Sequence, residues 1–211
     1  MSPRRRPADA VARTTAAYAR QAEEFIRRWG RRPYRRPALL RELLELAGPR
    51  AALLDLGCGA GQDARFLLAR RHHVVGVDRA WPLLAHARRR SRRVPLVRCD
   101  MRSLPLRPGS FDAIWAAASL MHLPKPQTNA LFRTLLMLVP VGGLLAATVA
   151  HGRSAGFLRA GWIPGRYFAR WGKTELEQAV RRAGWEAMIL VAVVNRERKG
   201  RWLNLIARRV R

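Results

Sequence analysis

Apolar positions at Val11, Tyr18, Ala22, Phe25, Ile26 and Trp29, with Thr15 between them, recur every three or four residues. That spacing predicts one amphipathic helix over about residues 10–29. Gly30 stops it, and GRRPYRRP (30–37) supplies a breaker-rich connection with two prolines. A second helix over about 37–47 carries Leu39, Leu40, Leu43, Leu44 and Leu46, and Gly48-Pro49 ends it in the usual order of a glycine just past the last turn and a proline beyond. From residue 51 the pattern changes. AALLDLG (51–57), HVVGVD (73–78), PLVRCD (95–100), FDAIWAAASL (111–120) and GGLLAATVA (142–150) are short apolar runs bounded by Gly, Asp or Pro. Most lack alternation, as expected of strands buried on both faces of a parallel sheet. Helical patterns at about 62–70, 81–91 and 126–138 lie between them, so strands and helices alternate.

After the fifth strand, residues 151–172 are Gly-rich and read as irregular, and KTELEQAVRRAG (173–184) reads as a helix. WEAMILVAVV and RWLNLIARRV face each other across NRERKG (195–200), which predicts an antiparallel hairpin at one end of the sheet. The expected fold is therefore α/β: a Rossmann-like, doubly wound, mostly parallel seven-stranded sheet with a C-terminal antiparallel hairpin and N-terminal capping helices. Residues 1–48 are expected to form the helical cap and 49–211 a single compact unit.

Composition narrows the class. Of 211 residues 49% are apolar, with seven Trp, six Phe and three Tyr, which excludes a disordered chain. Only two cysteines, Cys58 and Cys99, exclude a disulfide scaffold or a Cys-rich zinc site. Net charge is +27, from 41 basic against 14 acidic residues, and only three of the bases are Lys. Such an Arg excess has two readings: the coding bias of a GC-rich genome, or a surface for phosphate. Arg clusters at 27–36 (six Arg) and 88–93 (five of six residues) fit either a solvated helix face or a phosphate grip. The first reading is favoured, so nucleic acid is a possible but not a favoured partner. The most apolar stretch, 135–150, is shorter than the ~20 residues a membrane span needs and is broken by Pro140 and Gly142-Gly143. No apolar segment of signal-peptide type follows the basic start, so a cytoplasmic location is expected, with a transit peptide as the alternative.

The densest chemical signal is LLDLGCGAGQD (53–63): a buried strand ends in Asp55 and enters a turn with Gly57, Gly59 and Gly61 before a helix opens near Gln62 or Asp63. Glycines there let backbone approach a ligand, and in this fold class ligands sit at the carboxyl ends of the strands. The spacing is G-x-G-x-G, not the G-x-G-x-x-G of dinucleotide enzymes. Asp78 closes the second strand, Asp100 the third, and Asp112 opens the fourth. With Asp55, four of the chain's six Asp thus stand at strand ends.

Together these features resemble the class I S-adenosylmethionine-dependent methyltransferases over roughly residues 10–211. LLDLGCGAG resembles that family's first motif, and VVGVD, with Asp78 lying 23 residues after Asp55, its second. CDMRSLPL, FDAIWAAASLMHL and LVPVGGLLAATV resemble the third, fourth and fifth strand regions. The resemblance implies S-adenosylmethionine as cofactor. It places Gly57, Gly59 and Gly61 along the methionine and ribose, Asp78 on the ribose hydroxyls, and Asp100 and Met101 at the adenine. Ala116 would meet the cofactor through its backbone, and Asp55 would orient the glycine loop and the cofactor's amino group. Arg79 departs from the small or apolar residue common after the ribose acid.

Other residues keep two readings each. His122 is a candidate general base, since an unperturbed imidazole titrates near neutrality, or a loop-shaping hydrogen-bond partner. Tyr18 either folds over the cofactor or packs in the core. The segment 151–172, with Arg159, Trp162, Arg166, Tyr167 and Trp171, is either the acceptor-binding insertion or a cover for the sheet edge. His72-His73 has no third ligand at useful spacing, so no metal is expected. No D/N-P-P-Y/F motif follows the fourth strand, which disfavours methylation of an adenine or glutamine amino nitrogen. The expected activity is methyl transfer to O or N of a small molecule. The alternatives are an RNA or ribonucleoprotein methyltransferase, and a non-catalytic cofactor-binding module.

Overall fold

The computed structural model describes residues 7–30, 34, 36–195 and 200–210. Arg31, Arg32 and Arg35 of the first basic cluster, and residues 196–199 of the expected C-terminal turn, lie outside the described residues.

The apolar runs form the sheet expected of them. β1 (Ala52–Leu56), β2 (His73–Asp78), β3 (Leu96–Arg98), β4 (Ala113–Ala117) and β5 (Leu144–Ala150) are parallel. β8 (Trp185–Asn195) and β9 (Gly200–Arg209) complete it as an antiparallel pair, with an irregularity between Ala187 and Ile189. The order is β3-β2-β1-β4-β5-β9-β8. The chain winds outward from β1 to β3 and then restarts at β4 on the other side of β1. That reversal opens a crevice beyond the carboxyl ends of β1 and β4, the usual ligand position in such sheets.

Alternation along each strand divides the core into two layers. Leu54, Leu56, Ile114, Ala116, Leu145 and Ala147 face Phe132 and Leu135 of α6 (Lys125–Leu138) and Leu176 and Val180 of α7 (Lys173–Arg182). Leu53, Ala113, Trp115, Leu144 and Ala146 face Leu39, Leu40 and Leu43 of α3 (Ala38–Ala47) and Ala64 and Leu67 of α4 (Gln62–Ala69). The period-two switch of faces explains why these strands show no polar alternation: both faces are covered. A further helix, α5 (Trp81–Arg90), follows β2.

The N-terminal segment departs from expectation in its first helix. The helix read over 10–29 is divided into α1 (Pro7–Arg20), a break at Gln21, α2 (Ala22–Phe25) and a wider π-turn at Ile26–Gly30. The break turns the Phe25 ring against Trp162, with centroids 6.0 Å apart. A helical period reports a buried face, and it carries no mark of a kink along that face. Within 1–48, moreover, α3 is part of the sheet's core, with Leu40 and Leu43 fully buried.

The segment 151–172, read as irregular, contains a two-stranded antiparallel ribbon of β6 (Ala155–Phe157) and β7 (Tyr167–Ala169). It is stitched to α1, because the Tyr167 N–H donates to Thr14 Oγ1 at 2.9 Å. Among the described residues no helix is long and apolar enough to cross a membrane.

Candidate functional site

A cavity of about 1350 Å³ occupies the crevice beyond β1 and β4, roofed by α1, α2 and the β6–β7 segment. Its floor is the turn after β1. Gly57 and Cys58 donate their N–H groups to Val77 O at 2.8 and 2.9 Å, and Gly59 donates to Asp78 Oδ2 at 2.9 Å. Gly57 needs to be glycine twice over: its φ is +82°, and a Cβ there would lie 2.4 Å from the Ser119 Cβ. Ser119 in turn donates to Leu56 O at 2.7 Å, tying the turn after β4 to the end of β1.

Eight of the ten cofactor-binding and catalytic candidates read from the sequence line this cavity: Tyr18, Asp55, Gly57, Gly59, Asp78, Asp100, Met101 and His122. Two do not. Gly61 caps α4 in a left-handed conformation and is buried against α5, where a Cβ would fall 2.8 Å from the Ala87 Cβ. Its smallness serves helix packing. Ala116 is fully buried toward α6 and α7, so it has no surface to offer. Ala117 and Ala118 form the wall instead. Ala118 adopts a φ of +55°, and its N–H donates to Thr148 O and Oγ1 at 3.0 and 2.9 Å. A left-handed non-glycine residue costs about 1–2 kcal/mol, held here by those bonds.

The acids behave differently from one another. Asp78 accepts backbone N–H groups from Gly59 at Oδ2 and Ala80 at Oδ1, and the Arg79 N–H adds to them. Burial raises its carboxyl above the ordinary range despite those bonds. Asp55 is 2% exposed and its Oδ2 has no hydrogen-bond partner. Burial first, then the charges of Asp63 and Asp78, push it well above the ordinary carboxylate value. Asp63 is clamped at the other wall, accepting from Tyr34 Oη and Trp115 Nε1, each at 2.7 Å.

Asp100 is engaged by two arginines that sequence reasoning left aside. Arg102 bonds both of its oxygens, at 3.0 and 2.6 Å, and Arg79 Nη1 reaches Oδ2 at 3.0 Å. Burial alone would raise this carboxyl, but the bonds and charges of Arg102 and the charge of Arg79 outweigh it and hold the group below its ordinary value. The unusual Arg after the β2 acid was the one visible signal of this pairing.

Opposite the acids stands a second cluster. Tyr18 Oη lies 2.8 Å from His122 Nε2, and His122 Nδ1 lies 2.8 Å from Tyr167 O. A carbonyl oxygen only accepts, so Nδ1 carries the proton, and in the neutral ring Nε2 accepts from the Tyr18 hydroxyl. Arg166 Nη1 donates to the same Tyr18 oxygen at 3.1 Å. The two residues that sequence kept as separate candidates are therefore one network, completed by an arginine from the β6–β7 segment.

Residues 53–143 match the family described as a methyltransferase domain. The chain is 32% identical over 112 residues to the malonyl-acyl-carrier-protein O-methyltransferase of Enterobacter lignolyticus, covering 53% of this chain and 44% of that protein. It is 32% identical over 114 residues to the 18S rRNA (guanine-N7)-methyltransferase bud23 of Schizosaccharomyces pombe, covering 48% and 42% respectively. The chain thus spans less than half the length of these curated relatives. Among solved structures, Burkholderia thailandensis 1,6-didemethyltoxoflavin-N1-methyltransferase, with bound 1,6-didemethyltoxoflavin and S-adenosylhomocysteine, matches at a TM-score of 0.75 and 20% identity, covering 100% of this chain and 93% of that one. Residues 53–143 thus match a methyltransferase domain, in keeping with the resemblance read from the sequence, and the solved neighbour shares the Rossmann-like fold expected of it.

Proposed function

We propose that the chain transfers a methyl group from S-adenosylmethionine to an oxygen or nitrogen of a small-molecule acceptor. The carrying observation is the two-sided cavity. At about 1350 Å³ it exceeds the roughly 300–1000 Å³ typical of a pocket for one small ligand. Its acids lie at the carboxyl ends of β1 and β2, just beyond β3 and at the start of α4, while Tyr18, His122 and Arg166 come from α1, the turn after β4 and the β6–β7 segment.

The donor set suits the cofactor on the acid side. The partnerless Asp55 Oδ2 suits a ligand ammonium, and the Asp78 carboxylate, fixed by backbone N–H groups, suits the ribose hydroxyls. Asp100, already held by Arg79 and Arg102, suits a weaker contact with an amino group beside Met101. When bound, S-adenosylmethionine supplies an activated sulfonium methyl, so what the chain adds is alignment. Good orientation of two reactants lowers a barrier by about 7–11 kcal/mol. For an acceptor that arrives protonated, Tyr18 receives the departing proton while its own passes to His122 Nε2, so His122 acts through Tyr18. Such acid–base assistance is worth about 10²–10⁴-fold.

A second reading takes an RNA as acceptor. It is favoured by the rRNA-methylating relative and by the exposed Arg88, Arg89 and Arg90 on α5. A third, a module that binds cofactor without turnover, is disfavoured by the aligned Tyr18–His122 pair. Calorimetric titration with S-adenosylmethionine and S-adenosylhomocysteine, on wild type and Asp78→Ala, tests the first step. Binding weakened by about 2 kcal/mol in the variant, as for a lost charged hydrogen-bond partner, supports the reading. No binding by folded wild type refutes it. Methyl transfer to RNA but to no small-molecule panel would select the second reading, and tight binding with no transfer the third.

A further inference from the structure

Arg166 is 5% exposed, yet among the described residues no carboxylate stands within ion-pair distance of it. Its guanidinium donates from Nε to Ile163 O at 2.9 Å and from Nη1 to Tyr18 Oη at 3.1 Å. That uses two of five N–H groups, and an arginine cannot shed its charge to escape burial. A buried cation without a counter-charge is costly. The cavity supplies it none within ion-pair distance: of the four acids that line it, Asp55, Asp63, Asp78 and Asp100, none pairs with Arg166, and Arg28 and Arg170 add positive charge to the same lining.

The rings around the guanidinium limit what can reach it. Its carbon lies 4.7 Å from the Trp162 centroid, 5.2 Å from that of Phe168 and 5.4 Å from that of Tyr18. Phe25 stacks on Trp162 behind this group. Flat aromatic walls beside a planar fork suit a planar partner that meets the N–H edge, as a carboxylate does in two parallel hydrogen bonds.

We infer that the methyl acceptor is a small carboxylate on a flat conjugated body, with Arg166 as the residue that binds its anionic group. This rests on the proposed function, because it names the second ligand of the same cavity. Trp162 and Phe168 flank the guanidinium that holds the acid, and Tyr18 shares that guanidinium with it.

The test titrates the full chain, with and without S-adenosylhomocysteine, with benzoate and 2-naphthoate and with their neutral amides. Arg166→Gln, Arg166→Lys and the exposed-face control Arg89→Gln are compared with wild type. At least one acid should bind wild type and Arg89→Gln ten-fold or more tighter than its amide. That preference should shrink in Arg166→Lys, which keeps charge but loses the fork, and vanish in Arg166→Gln, with S-adenosylhomocysteine affinity held within three-fold in both. Equal binding of acids and amides overturns the inference, as does a preference that survives Arg166→Gln and so reflects only the overall charge. Tighter binding of phenyl phosphate than of either acid also overturns it. If S-adenosylhomocysteine fails to bind but the Arg166-dependent preference persists, the cofactor reading falls and the anion site stands. If the cofactor product binds and the preference is absent, the inference falls alone.

Discussion

Asp55→Asn should make the protein more stable at neutral pH while weakening its hold on the cofactor. The carboxylate is 2% exposed, Oδ2 has no partner, and the charges that act on it, Asp63 and Asp78, are of its own sign. An unsatisfied buried polar group costs about 1–3 kcal/mol, and an amide removes the charge while keeping the shape. For a chain of this length each kcal/mol corresponds to about 2–4 °C, so the variant should melt about 2–12 °C higher at pH 7.5. The pH dependence fixes the cause. Asp55 has a folded value raised well above 3.8, so between 3.8 and that value the folded state binds more protons than the unfolded one. Wild-type stability is therefore eroded as pH rises through that window. The gain in Asp55→Asn should grow as pH rises from 3.8 through that window and shrink toward zero as pH falls to 3.8. Thermal melts across that range, with calorimetric titration of S-adenosylmethionine at pH 7.5, measure both halves. The affinity loss should be about 1.5–3 kcal/mol, or roughly 10- to 150-fold. A lower melting temperature in the variant at pH 7.5, or a difference that does not change with pH, would show that Asp55 is not an uncompensated buried charge.

Three further outcomes are expected. Gly57→Ala should cost about 2–5 kcal/mol in urea unfolding, adding the contact with Ser119 to the strain of a positive φ. Gly142→Ala, with φ +86° and no atom within 4 Å, should cost only about 1–2 kcal/mol. On an acceptor that must lose a proton, Tyr18→Phe and His122→Gln should each lower kcat by about 10²-fold or more, with the double variant no worse than either. Equal losses in kcat and KM at all pH values would point to a structural role for the pair. A transfer RNA should bind with a Kd no tighter than about 10⁻⁶ M at physiological salt and weaken steeply between 50 and 200 mM NaCl, as for contacts with phosphate alone. Submicromolar binding that persists at 200 mM would favour an RNA acceptor.

The sheet was legible because a strand buried on both faces is an unbroken apolar run between polar or turn residues, and Val74–Val77 and Ala113–Ala117 are such runs. The glycine turn and Asp78 were legible because close backbone approach and a fixed carboxylate leave residue-type marks. The end of β4 was not. WAAAS holds three consecutive alanines, and nothing in their chemistry says that Ala116 is sealed in the core while Ala118 turns left-handed into the cavity. Gly61 carried the right residue for a different reason, contact with α5. The roof was least legible of all. Tyr18 meets His122 across 104 residues and Arg166 across 148, and no local period encodes a contact at that range.

Charge explains why one half of the site announced itself and the other did not. With 14 acids against 41 bases, an Asp is rare enough that its position is informative, and four of the six line the cavity. An Arg in the same chain carries almost no such information, since 38 of them must go somewhere. With too few acids to pair with, the described arginines settle on carbonyls and rings: Arg209 on Leu136 O and Val139 O, Arg70 over Phe66, Arg28 over Trp162. Arg166 does both, and differs from an exposed arginine such as Arg89 in being buried with no acid beside it and with N–H groups left at the wall of a cavity. The property that singles it out is an environment assembled from α1, the β6–β7 segment and the turn after β4. It comes into being only when the chain folds, so the structure rather than the composition has to find it.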